Sequence, residues 1–147
     1  MPIENSSPIK EIYSSAGDIS LQRPLFLSGV SAGFPSPADD YLDRKLDLNE
    51  HLVKNPAATY FVRVAGDSMT GAGINDNDIL VVDRSLEPSS SNIVIAIVNG
   101  ELTVKRLIKT RNSCRLIAEN PDYPPLEINE DTPLEIWGVA TYAIHTL

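Results

Sequence analysis

A mainly β fold is predicted for this chain on three observations. Six segments rich in Val, Ile and aromatic residues follow one another between Tyr60 and Ile144. Asn99-Gly100, between two of them, marks a tight hairpin, because both residues tolerate positive φ. A single stretch, Asp39 to Lys54, carries a helical pattern. Together they predict a β-domain with one or two short helices, preceded by an extended N-terminal arm.

Residues 1 to about 38 form the arm and a first division of the chain. Pro2, Pro8, Pro24, Pro35 and Pro37 punctuate it, and no helical or strand period is sustained. Pro24-Leu25-Phe26-Leu27 reads as a short extended piece that docks on the rest. Composition alone would also suit a disordered leader with no function. From Asp39 to Lys54, Tyr41, Leu42, Leu46 and Leu52 supply the apolar side of a helix. Asp47 and Glu50 have capping-box spacing for a short second helical turn, and Asn55-Pro56 ends it.

The rest of the second division, 39–147, is read as strands: Tyr60 to Val64, Ile79 to Val82, Ile93 to Val98, Leu102 to Leu107, Cys114 to Ala118 and Ile136 to Ile144. Asn75-Asp76-Asn77-Asp78 has some calcium-loop flavour. It lacks the Gly and terminal Glu of that loop and is read as a polar turn.

The bulk numbers exclude several function classes. Hydrophobic and charged fractions of 42% and 22% are those of an ordinary globular domain. Twelve basic against twenty acidic residues give a formal charge of -8, which argues against strong direct DNA binding. Lys105, Arg106, Lys109, Arg111 and Arg115 form a local basic cluster, read as a solvated hairpin surface. Cys114 is the sole cysteine, which fits a reducing cytoplasm and reads as a buried structural thiol. His51 and His145 have no metal-like spacing, and no cofactor or metal is expected. No apolar run approaches membrane-spanning length, so a soluble cytoplasmic protein is expected.

The chemistry-bearing residues are Ser68, in Gly66-Asp67-Ser68-Met69, and Lys105, in Thr103-Val104-Lys105-Arg106-Leu107. A serine hydroxyl is a weak nucleophile without a neighbour to take its proton. A lysine can be that neighbour when burial lowers its pKa, and the pair is a known variant of the hydrolytic triad. Val104 and Leu107 flank Lys105 with apolar bulk. Thr103 shares its strand face, where a hydroxyl would orient the amine. Backbone N–H groups around Ser68 are the oxyanion donors this chemistry needs. Taken singly, Ser68 reads as a turn residue and Lys105 as a surface lysine.

Taken in order, the motifs closely resemble the UmuD proteins, self-cleaving subunits of a bacterial damage-tolerance DNA polymerase, within the LexA-like serine-lysine autoproteases. The resemblance runs from about residue 24 to 145. It rests on Ala32-Gly33-Phe34-Pro35-Ser36-Pro37, Pro56-Ala57-Ala58-Thr59-Tyr60-Phe61-Val62, Gly66-Asp67-Ser68-Met69, Asp78-Ile79-Leu80-Val81-Val82-Asp83 and Gly100-Glu101-Leu102-Thr103-Val104-Lys105. It implies a LexA/UmuD-like, signal-peptidase-like β-domain. It makes Ser68 the nucleophile, Lys105 the general base and Ala32-Gly33 the scissile bond. Ala32 suits a tight pocket, and Gly33 allows close backbone approach.

The resemblance further implies cleavage promoted by a RecA filament on single-stranded DNA during the SOS response. It also implies a homodimer, and a truncated product serving a UmuC-type translesion polymerase. The leader before the bond is long for UmuD proteins, and its first 20 residues match nothing familiar. Two rival readings are a non-catalytic dimeric interaction module for a polymerase and a truncated LexA-like regulator. The second would need a DNA-binding domain, which 32 residues with several prolines do not supply.

Overall fold

The computed structural model describes residues 8–15, 22–26 and 43–147 of the chain. Its strands are β1 (Ile9–Ser14), β2 (Gln22–Phe26), β3 (Asp43–Asp47), β4 (Thr59–Val64), β5 (Ile79–Asp83), β6 (Ile93–Val98), β7 (Glu101–Lys109), β8 (Cys114–Ile117), β9 (Leu126–Ile128) and β10 (Leu134–Ile144). One helix, α1 (Leu48–Leu52), follows β3, and single 3-10 turns lie at Pro56–Ala58 and Thr70–Ala72. The mainly β class is the one the sequence predicts, and all six predicted strands are present as β4 to β8 and β10.

Eight strands form one antiparallel sheet in the order β1-β4-β5-β10-β6-β7-β8-β9, and β2 pairs separately with β3. The β6–β7 hairpin turns at Asn99 and Gly100, with φ of 50° and 82°. That is the positive-φ pair a tight turn matching strand twist requires.

Two hydrophobic clusters hold the sheet together. The first gathers Ile9, Val62, Val64, Leu80, Val82, Ile95 and Val104 with Met69 and Ile74, so it spans β1, β4, β5, β6 and β7. The second gathers Val94, Ala96, Val98, Leu107, Leu116 and Val139. Cys114 is a free, half-buried thiol packed against the second cluster.

Two readings of the N-terminal third are corrected. Among the described residues, the helical pattern from Asp39 to Lys54 yields a helix at Leu48–Leu52, where Asp47 accepts the Asn49 N–H at 3.0 Å as N-cap. Residues 43–47 are instead strand β3, whose backbone finds its partners in β2, from Gln22↔Asp47 to Phe26↔Asp43. A non-local ladder thus overrides a local helical period. Tyr41 and Leu42 lie outside the described residues.

The arm also contributes more regular structure than its composition suggests. β1 pairs with β4 from Ile9↔Val64 to Ser14↔Tyr60, and Ile9 is buried in the first cluster. No helix among the described residues is long and apolar enough to cross a membrane.

Candidate active site

Met69 and Val104 are each 3% exposed and belong to the same apolar cluster. Met69 directly follows Ser68, and Val104 directly precedes Lys105. Burial of these two anchors therefore brings the serine turn after β4 and the middle of β7 to one place on the cluster's rim. There Ser68 and Lys105 line a single cleft of about 290 Å³, together with Thr103, Gly66, Asp67 and Tyr123. Residues 37 positions apart in the chain thus share one cavity.

Strand alternation sets the lysine's surroundings. Val104 points into the first cluster, so Thr103 and Lys105 point to the opposite face. Across β6 their register partners are Ala96 and Val94, both 0% exposed. Burial beside this apolar surface pushes the Lys105 amine below its ordinary pKa, because desolvation penalises the charged form.

The amine donates to Thr103 Oγ1 at 3.0 Å and to the Val104 carbonyl at 3.1 Å. A neutral amine has two N–H bonds and one lone pair. In its neutral form, with both hydrogens so engaged, the amine keeps its lone pair free on a group that lines the cleft with Ser68. Such a nitrogen can accept a proton. The hydroxyl expected to orient the lysine from Thr103 is in hydrogen-bond contact with it.

Ser68 is half-buried, and its Oγ makes no hydrogen bond among the described residues. Catalytic hydrogen bonds are often open in the absence of substrate and tighten when it binds. The N–H groups of Ser68 and Met69 likewise find no acceptor among the described residues. Backbone N–H groups beside a nucleophile are the donors that a developing oxyanion needs.

The serine turn is strapped to the loop after β8 by contacts that no local motif announced. The Asp67 carbonyl accepts from Asn120 Nδ2 at 2.8 Å, and its carboxylate accepts from the Tyr123 hydroxyl at 2.6 Å. The Gly71 N–H donates to the Glu119 carbonyl at 2.7 Å. A Cβ on Gly71 would lie 2.6 Å from that oxygen, so this approach requires glycine. On the other side, Asp76 accepts the Gly66 N–H at 2.8 Å. The sequence signal for the strap, a lone tyrosine in the polar loop Asn120-Pro121-Asp122-Tyr123, is weak without the fold.

The other candidates fall as follows. Ala32 and Gly33 lie outside the described residues. The polar turn at residues 75–78 is a turn, with Asp78 buried and used by the Asn75 N–H at 2.8 Å and by His145 Nδ1 at 2.6 Å. Within the basic cluster, Arg106 is paired with Glu119 and donates to the Ser91 carbonyl, while Arg115 pairs with Glu127. Lys109 and Arg111 are exposed.

Residues 24–141 match the sequence profile of the Peptidase S24-like family. The chain is 45% identical to protein MucA of Salmonella typhimurium over 136 residues, covering 91% of this chain and 92% of that one. It is 44% identical to protein ImpA of Shigella flexneri over 131 residues, 88% of each. Over 113 residues, 77% of this chain, it is 39% identical to 53% of the LexA repressor of Xylella fastidiosa.

Proposed function

The chain belongs to the Peptidase S24-like family, and from that premise we propose that it is a serine endopeptidase that cuts its own Ala32-Gly33 bond. Ser68 is the nucleophile and Lys105 the general base. The observation that carries this reading is the Lys105 amine, desolvated and held by Thr103 and Val104, on the cleft that Ser68 lines.

Neutral Lys105 takes the Ser68 proton as Oγ attacks the Ala32 carbonyl carbon. The resulting oxyanion is met by the backbone N–H groups beside Ser68. Collapse breaks the C–N bond, and the lysine ammonium returns its proton to the departing Gly33 amine. A water molecule, deprotonated by Lys105, then hydrolyses the Ser68 ester to release the Ala32 carboxylate. A tethered substrate has an effective concentration on the order of millimolar, so a slow catalyst suffices.

The reading extends to regulation and partners on the resemblance to UmuD proteins. Cleavage is promoted by a RecA filament on single-stranded DNA as part of the SOS response. The homodimeric product, Gly33 to Leu147, then joins a UmuC-type polymerase for translesion synthesis in the cytoplasm. The charge of -8 supports protein partners over direct DNA contact.

The test is intact-mass analysis of purified protein incubated at about pH 10, where more of the desolvated amine is neutral than at pH 7, beside the Ser68→Ala variant. A species beginning at Gly33 in the unaltered protein alone is expected. Its absence, even with RecA, single-stranded DNA and ATP, would leave a β-rich interaction module as the better account.

A further inference from the structure

The proposed cut divides the sheet in an unusual place. Both strands on the leader side pair with strands on the product side: β1 with β4, and β2 with β3. Breaking the bond between residues 32 and 33 removes the covalent link but none of these ladders.

The β1 ladder is well anchored. Ile9 is 8% exposed within the first hydrophobic cluster. Glu11 accepts from Arg63 Nε at 2.8 Å, and Lys10 donates to the Asn77 side chain at 3.3 Å. Backbone bonds continue past both ends of the strand, from Ala65 N–H to the Pro8 carbonyl and from Ser15 N–H to the Thr59 carbonyl. This is the pattern of an extended peptide added to a sheet edge, in which main-chain bonds supply affinity and alternate side chains supply register.

We propose that the leader fragment stays bound to the body after cleavage, as a non-covalent strand on the β4 edge, and that its release is a step separate from bond cutting. This rests on the proposed cut for its biological setting. The β4 edge is accordingly a strand-acceptor surface whose occupant is the chain's own segment 8–15. Before the cut, tethering gives that segment a high effective concentration; afterwards the ladder alone sets its residence time.

The test separates retention from self-cleavage. A Ser68→Ala chain carrying a recognition sequence for an added site-specific protease, in place of residues 28–32, is cut by that protease and run on gel filtration. Native mass spectrometry of the eluted body then reports whether the leader is present. Co-elution, with release in denaturant, is expected. A leader that elutes by itself in native buffer overturns the proposal and leaves the serine-lysine reading untouched.

The register has its own control. Glu11→Arg sets like charges side by side on β1 and β4, and should speed leader loss several-fold. Adding Arg63→Glu should restore retention. Leader loss that ignores both changes would overturn the assignment of β1 as the holding strand.

Discussion

Lys105 Nζ lies 3.0 Å from the hydroxyl oxygen of Thr103, two residues back on the same strand. This contact fixes one of the amine's hydrogens and so helps to aim its lone pair. Replacing Thr103 by Val keeps the shape and removes the acceptor. Cleavage should then slow roughly tenfold, the equivalent of about one net hydrogen bond. Thr103→Ser should keep most of the rate. Appearance of the Gly33-initiated product by mass spectrometry measures both, and a wild-type rate in the Val variant would remove Thr103 from the mechanism.

Lys105 should be costly to the fold that uses it. Desolvation lowers its pKa in the folded chain below the usual 10.5. Between the lowered value and 10.5 the unfolded chain binds more protons, so this group's contribution to stability rises with pH. Below that window the folded chain bears the full cost of burying an ammonium. Lys105→Met should therefore abolish cleavage, raise the melting temperature at pH 7, and lose part of that advantage as pH approaches 10. A stability difference independent of pH would contradict the assigned burial. Through the same window, cleavage by the unaltered chain should accelerate as Lys105 loses its proton.

Tyr123 positions the serine turn through Asp67. Its hydrogen bond to the Asp67 carboxylate raises the phenol's pKa, so it remains a donor across the working pH range. Tyr123→Phe should slow cleavage roughly three- to tenfold, the loss of one hydrogen bond acting through the turn. The melting temperature should barely change, because the ring is exposed. An unaltered rate would show that the bonds from Asn120, Glu119 and Asp76 hold the turn without Tyr123.

At Gly71 there is no space for a methyl group against the Glu119 carbonyl. Gly71→Ala should cost about 1–3 kcal/mol in urea unfolding, the range for overpacking. It should also slow cleavage by moving the serine turn away from the loop after β8. A midpoint equal to the unaltered protein's would mean that the two segments separate freely.

The strands that the sequence makes plain are those whose own composition demands burial, such as Ile79–Asp83 and Ile93–Val98. β3, Asp-Arg-Lys-Leu-Asp, has little strand character of its own and exists through its pairing with β2. β1 is obscured for another reason. Its register shifts between Ile9 and Glu11, which breaks the two-residue alternation that pattern reading depends on. At the site, Ser68 and Lys105 follow from spacing and resemblance, and Thr103 follows from strand period. Asn120 and Tyr123 do not, because they reach Asp67 across 53 and 56 residues of chain.

The sheet order has one consequence for the timing of synthesis. β10, at Leu134–Ile144, lies between β5 and β6 and joins the half-sheet carrying Ser68 to the half-sheet carrying Lys105. A ribosome completes both catalytic residues well before it delivers this strand. The backbone ladder between the two half-sheets is therefore the last to be completed, and until then they are held by side-chain packing and by the strap to the loop after β8. On the proposed function, self-cleavage should begin only after the last strand has left the ribosome.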